Sequence, residues 1–121
     1  MSIIQPAHLF CLAVLLAGCS RAPERPPAPA AAQITEQQGL DLLMATLKKN
    51  KVPDLDCVGM MTESDPPAGG KAKEWDFAAH EVHDARCGGD PQTAPVRGRY
   101  RVTAAGKVLE YDIAEGEYRP L

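Results

Sequence analysis

The sequence predicts an α+β domain in which one N-terminal helix packs on a four-stranded antiparallel sheet, stapled by one disulfide. Three observations lead to this fold class. One stretch has helical periodicity, the chain after it alternates as short strands between turn formers, and two cysteines lie in those strands. An amphipathic helix and a one-sided sheet bury their apolar faces on each other, which gives the order α-β-β-β-β.

The helix is predicted over residues 35–50, TEQQGLDLLMATLKKN. Thr35 and Gln38 have the spacing of a capping box, and Asn50 can end the helix because Pro53 prevents its continuation. The apolar residues at i, i+3, i+4 and i+7 define one face, predicted to lie on the sheet: Leu40, Leu43, Met44 and Leu47.

The strands are predicted at residues 55–62, within 74–87, at 96–103 and at 107–113. The last two are expected to form a hairpin with a loop over residues 103–106, in which Gly106 takes the left-handed conformation. In this register the following pairs face each other: Tyr100 and Leu109, Gly98 and Tyr111, Val96 and Ile113, Arg99 and Glu110, Arg97 and Asp112. Arg97, Arg99 and Arg101 form a stripe along this strand. Two of the three are therefore interpreted as cross-strand charge partners on a solvated face, and the stripe is not interpreted as a nucleic-acid surface. An apolar patch opposite the helix is a further possibility, formed by Val58, Met60, Val82 and Val108.

The N-terminus has the pattern of an export signal. Residues 9–17, LFCLAVLLA, form an apolar run that is too short to span a bilayer. The step Leu16-Ala17-Gly18-Cys19 resembles the bacterial lipobox. This resemblance implies a signal peptide over residues 1–18 and a Cys19 that carries a diacylglyceryl group and an N-acyl chain. The alternative is an ordinary cleaved signal peptide with a chance cysteine.

The same resemblance implies a location. Ser20, next to the lipidated cysteine, implies sorting to the outer membrane, with the domain facing the periplasm or the cell surface. Residues 19–33 hold four prolines and five alanines after Cys19 and are expected to form an extended tether before a domain over residues 34–121. Removal of residues 1–18 leaves the net charge at −3, which argues against nucleic acid or anionic lipid as the main partner.

The predicted element order and two further segments carry resemblances. The order α-β-β-β-β is similar to the cystatin-like folds. Residues 100–112, YRVTAAGKVLEYD, resemble the terminal hairpin of PepSY-type periplasmic domains, and residues 86–91, RCGGDP, resemble a phrase of small proteobacterial lipoproteins. None of these resemblances implies a cofactor.

Cys57 and Cys87 are predicted to form a structural disulfide, because an even cysteine pair in an exported domain meets an oxidising compartment. Closing a loop of about 30 residues stabilises by roughly 3–4 kcal/mol in the chain-entropy model. A redox-active or metal-binding pair is the alternative.

Residues 80–84, HEVHD, are the most suggestive polar cluster. His80, Glu81 and His83 are candidate metal ligands, but on a strand the two histidines point to opposite faces. A zinc site needs three or four convergent ligands, so the others would have to come from elsewhere. The alternative is a polar strand end above the disulfide.

The function predicted from these features is a non-enzymatic, lipid-anchored envelope protein that acts as a binding or envelope-maintenance module on an envelope protein partner. No nucleophile motif or phosphate-binding loop supports an enzyme. One alternative is an inhibitor of a secreted hydrolase, a protease or a lysozyme, acting through residues 65–70 or 88–95. The other is a metal-binding lipoprotein that uses His80 and His83.

Overall fold

The computed structural model describes residues 32–121 and Pro26. The predicted signal peptide, Cys19 and most of the predicted tether lie outside the described residues. The elements, in chain order, are β1 (Ile34–Thr35), α1 (Glu36–Lys49), a 3-10 turn (Leu55–Cys57), β2 (Val58–Thr62), β3 (Lys71–Ala72), β4 (Glu74–Glu81), β5 (Val96–Thr103), β6 (Val108–Asp112) and β7 (Glu117–Pro120).

The main sheet has five antiparallel strands in the order β2-β4-β5-β6-β7, and β1 pairs with β3 in a separate two-stranded sheet. The α+β class with a single described helix is confirmed, but the prediction of four strands is wrong. The additional main strand is β7, which has only four residues, EYRP, too few for their alternation to indicate a strand by itself. The strands β1 and β3 have two residues each, too few to show any periodicity.

The helix has the ends that the sequence predicts. Thr35 Oγ1 accepts a hydrogen bond from Gln38 N at 3.2 Å, and Gln38 Oε1 accepts one from Thr35 N at 2.9 Å. Asn50 is the C-terminal cap. Leu43 and Leu47 are fully buried, while Leu40 and Met44 pack partly buried at the edge of the core.

The core lies between the helix and one face of the sheet. Its buried side chains come from α1, β4, β5 and β6: Leu43, Leu47, Trp75, Phe77, Ala79, Tyr100, Val102 and Val108. Val58 and Met60 pack against this cluster, because they pair with Glu81 and Ala79 on the same face of the sheet. The apolar patch predicted opposite the helix is therefore wrong for Val58, Met60 and Val108.

The β5–β6 hairpin is shifted by one residue from the predicted register. The observed pairs are Tyr100 with Glu110, Arg101 with Leu109, and Val102 with Val108. This register brings Val102 and Val108 together on the core face, whereas the predicted one sets Val102 against Lys107. Gly106 has a positive φ of 87°, as predicted, but the loop is one residue longer.

The shift changes the partners of the arginines on β5. Arg101 makes a bidentate pair with Asp76, with N–O distances of 2.7 and 2.8 Å, and its guanidinium lies 4.3 Å from the centre of the Tyr118 ring. Arg99 Nε lies 3.1 Å from Glu63 Oε1. Two of the three arginines thus form charge pairs on the sheet face opposite the helix, but with residues that the predicted hairpin does not contain.

The domain has two opposite ends, the tether end and the disulfide end. At the tether end the described chain begins, β1 pairs with β3, and Trp75 Nε1 donates to Ile34 O at 2.9 Å. At the disulfide end lie the connection after α1 (residues 50–57), the β4–β5 loop (residues 82–95) and the β6–β7 turn (residues 113–116). The eight residues of β4 run between them, a length of about 26 Å.

Replacing Gly39 by alanine is expected to stabilise the domain by about 0.5–1 kcal/mol, because glycine is a poor helix former. A Cβ at this position would lie 3.4 Å from Trp75 Cδ1 and 3.5 Å from the Phe77 ring, which is ordinary contact. Urea unfolding of G39A checks this, with G39L as the control that overfills the same space. A lower midpoint for G39A would show that the helix cannot accept even one methyl group against Trp75.

Candidate binding surface at the disulfide end

The disulfide joins the two segments that flank neighbouring strands. Cys57 precedes β2 and Cys87 follows β4, and their sulfur atoms are 2.02 Å apart with a Cα–Cα distance of 5.6 Å. The predicted disulfide is confirmed. Because β2 and β4 are paired up to Val58 and Glu81, the bond extends the link between these strands beyond the last residues of their ladder.

The β4–β5 loop is built from tight turns. Asp84 Oδ1 accepts hydrogen bonds from Arg86 N at 2.9 Å and Cys87 N at 2.7 Å, and Asp84 O accepts one from Gly88 N. The bond from the Cys87 amide, followed by the one from Arg86, holds the pKa of Asp84 below its usual value. Further along, Asp90 O accepts from Thr93 N at 3.0 Å. Hydrogen bonds within the loop therefore fix its conformation before and after Cys87.

His83 connects this loop to the sheet. Its Nε2 lies 2.9 Å from Glu81 Oε2, and its Nδ1 lies 3.0 Å from both Asp90 O and Thr93 Oγ1. Gly89 packs so closely on the imidazole ring that a Cβ at this position would lie 2.5 Å from His83 Cγ and Cδ2. Glu81 and Asp90 O only accept hydrogen bonds, so the doubly protonated ring satisfies both sides. The bond to Glu81, then the one to Asp90 O, raises the pKa of His83.

The predicted metal candidates do not converge. His80 points to the other face of the sheet and its Nδ1 lies 3.0 Å from Ala94 O, whereas Glu81 and His83 contact each other. Within residues 32–121, no group of three His, Cys, Asp or Glu side chains is placed to hold a metal ion.

A groove of about 490 Å³, the disulfide groove, lies beside the Cys57–Cys87 bond. Two arginines enter it from the β4–β5 loop and from β5. Arg86 Nη2 donates to Asp56 O at 2.8 Å, and Arg97 Nη2 donates to Pro53 O at 2.6 Å. Its other lining residues are Asp54, Cys57, Glu81, Val82, His83, Cys87 and Gly89.

A second groove of about 460 Å³, the strand groove, opens between β5 and β6. It exists because the β5–β6 ladder stops at Tyr100 and Glu110, although β5 begins at Val96 and β6 continues to Asp112. Arg97 lines both grooves, so they adjoin. The remaining lining residues are Val96, Gly98, Arg99, Glu110, Tyr111, Asp112, Ile113, Ala114, Arg119 and Pro120.

Three of the five large hydrophobic side chains that are exposed among the described residues lie at the same end. Val82 is 37% exposed, Val96 is 38% exposed, and Ile113, in the β6–β7 turn, is 84% exposed. Val82 lines the disulfide groove, while Val96 and Ile113 line the strand groove. Apolar groups beside polar, partly charged grooves are a common composition of protein-binding surfaces.

The two loops predicted for an inhibitor lie far apart. Residues 65–70 follow β2 and precede β3, at the tether end, whereas residues 88–95 belong to the disulfide end. Only one of them can therefore enter the active site of a given hydrolase. The structure assigns residues 88–95, and not residues 65–70, to the end that carries both grooves.

The groove arginines were not recognisable from the sequence as a pair. Arg86 and Arg97 are held by main-chain carbonyl groups of residues 53 and 56, and such partners leave no residue-type signal. The strand groove was not recognisable from the sequence either. In the predicted register, β5 and β6 pair along the residues that line this groove in the structure.

No protein-family model, curated protein or solved structure matches this chain. In the part of the chain that the structure describes, no helix is both long and apolar enough to cross a membrane.

The contact between His83 and the loop is expected to weaken as the pH rises. A histidine with a raised pKa in the folded state contributes stability that is complete below the ordinary value of about 6.5 and is lost as the pH passes through the raised value. NMR titration of His83 should give a midpoint above the ordinary value. The protection factors of the Gly88 and Thr93 amides, corrected for the intrinsic pH dependence of exchange, should fall at high pH. E81Q should lower this midpoint and the control E63Q should not. An unchanged midpoint in E81Q would contradict the assignment.

Proposed function

We propose that this chain is a lipid-anchored envelope protein that acts without catalysis, binding another envelope protein through its disulfide end. In this proposal Cys19 holds it in the outer membrane, and the domain faces the periplasm or the cell surface. The lipobox residues described above are the support for the anchor and its location.

The position of the two ends is the observation that carries the binding role. The described domain begins at the tether end, where Trp75 holds Ile34, while both grooves and three exposed aliphatic side chains lie at the opposite end. A tether of 14 residues after Cys19 spans up to roughly 40 Å when extended. A domain attached in this way presents its grooves away from the anchor, toward a partner.

The composition of the grooves favours binding over catalysis. Within the described residues, neither groove is lined by a serine, threonine or lysine, and the two cysteines in the disulfide groove are bonded to each other. In the disulfide groove, Glu81 and His83 contact each other, and His83 holds the loop in place through Asp90 O.

The test combines anchoring and contact in the living cell. A photo-crosslinking residue at position 113 is expected to capture one discrete envelope protein, and the same residue at the exposed position 68, at the tether end, is the matched control. Intact-mass analysis of the membrane fraction should show acylated Cys19, and C19A should release the chain. Equal capture from both positions would overturn the binding role, and an unacylated chain in the membrane fraction would overturn the anchor.

A second function, inhibition of a secreted protease or lysozyme, is favoured by the bracing of residues 88–95 by the disulfide and by His83. A stiff loop loses little entropy when it enters an active site. Assays of lysozymes and serine proteases with this protein test it. Inhibition that Q92A weakens would support this function, and the absence of inhibition would leave the first proposal alone.

A further inference from the structure

We propose that the disulfide groove is a carboxylate-binding site that takes an acidic, extended peptide segment of the partner, with the Arg86 and Arg97 guanidinium groups as its donors. This inference rests on the proposed binding function and specifies its ligand chemistry.

The arginines of the domain differ in their partners. Arg99, Arg101 and Arg119 each form ion pairs with carboxylates at distances between 2.7 and 3.6 Å. Within residues 32–121, Arg86 and Arg97 form no such pair at 4.0 Å or less, and both contact main-chain oxygens instead. A carbonyl oxygen orients a guanidinium without neutralising it, so these two keep both their charge and most of their N–H donors.

One short connection holds both guanidinium groups in place. Their acceptors, Pro53 O and Asp56 O, belong to this connection, which leads directly to the disulfide at Cys57. That connection is tightly turned, with a hydrogen bond of 2.9 Å from Cys57 N to Asp54 O and a positive φ of 55° at Asp54. Two donors fixed on one rigid turn are pre-organised for an acceptor, which lowers the entropy lost on binding.

The local charge also favours a carboxylate ligand. Of the two carboxylates that line the disulfide groove, Asp54 and Glu81, the second is already bound by His83 at 2.9 Å. The two guanidinium groups without an ion pair can therefore receive a single carboxylate from outside. A dianionic phosphate group would lie close to the two carboxylates already present and is disfavoured by their repulsion.

The adjoining strand groove favours a peptide as the ligand. Arg97 lines this groove as well, where β5 pairs with β4 through Val96, Gly98 and Arg99 but does not pair with β6 before Tyr100. An extended peptide can add to such an edge through main-chain hydrogen bonds, with alternate side chains reaching neighbouring pockets. A carboxylate on that peptide would reach Arg97, while an aliphatic neighbour would contact Val96 or Ile113.

The test is selection from a phage-displayed library of random decapeptides against the full chain as recovered from the producing cell. We expect the selected peptides to be enriched in Asp or Glu at one position. The best peptide should bind R86Q/R97Q about tenfold more weakly, and its Glu→Gln or Asp→Asn version should lose a similar factor with the unmutated protein. The matched control K71Q/K73Q removes two exposed positive charges at the tether end, outside both grooves, and should bind within about twofold of the unmutated protein.

Three results would overturn the inference: no enriched peptide, enriched peptides without an acidic residue, or equal binding by R86Q/R97Q. Competition by inorganic phosphate stronger than that by acetate would instead assign the groove to a phosphate ligand. The peptide substitution leaves the protein intact, so misfolding of the double variant cannot imitate its result. If crosslinking from position 113 persists while acidic peptides fail, the binding function stands and the carboxylate site falls.

Discussion

Replacing both Cys57 and Cys87 by serine is expected to lower the free energy of unfolding by about 3–4 kcal/mol, the chain-entropy value for a loop of this size. The loss is large because a small domain is held by only about 5–15 kcal/mol in total. Urea unfolding of the variant, compared with the unmutated protein with and without reductant, measures it.

The single variants separate loss of the disulfide from loss of a side chain. C57S and C87S should each unfold at the midpoint of the reduced, unmutated protein, since either change removes the same bond. The Asp84 turn depends on Cys87 only through its amide, so its hydrogen bonds should survive the substitution. A drop of less than about 1 kcal/mol would mean that the ladder between β2 and β4 holds these segments without the disulfide.

Replacing Trp75 by alanine is expected to cost about 3–5 kcal/mol, because Trp75 is the largest fully buried side chain of the core. The change opens a cavity between α1 and the sheet and removes the hydrogen bond to Ile34 O. W75F keeps an aromatic ring in the core but loses this hydrogen bond. The lost bond should cost about 1 kcal/mol, in addition to the cost of the smaller side-chain volume. Urea unfolding measures both variants.

Hydrogen exchange at the tether end shows where the Trp75 effect acts. The β1–β3 pairs, Ile34 with Ala72 and Thr35 with Lys71, should lose protection in W75F while the main sheet keeps its own. If W75F is as unstable as W75A, the indole hydrogen bond and not the buried volume would be the main contribution of Trp75.

The helix was predictable because its signals are local. The capping box of Thr35 and Gln38 and the spacing of the buried leucines lie within one continuous segment. The hairpin register was not, because it depends on which residues face the helix. Pairing Val102 with Val108 fills the core, a contact between distant elements that outweighs the charge pairing expected for Arg99 and Glu110.

The site was predictable only where chemistry is tied to residue type. Cys57 and Cys87 could be paired because bonded cysteines are typical of exported domains. The contact of Glu81 with His83 follows from their positions at the end of β4, but the metal role considered for them needs further ligands that the described fold does not bring near. Arg86 and Arg97 meet in the disulfide groove through carbonyl groups, which every residue carries.

The opposite placement of the two ends has a mechanical consequence. If the chain is anchored at one end and its partner binds at the other, a pull between them acts along β4 and β5 and not across them. Hydrogen bonds between strands loaded in this direction must shear together, whereas a sideways pull would open them one at a time. The weakest link near the anchor is the two-residue β1–β3 pair, which can peel away first and lengthen the connection. The domain would thus yield at its base under tension while the disulfide-bonded end kept its shape and its hold on the partner.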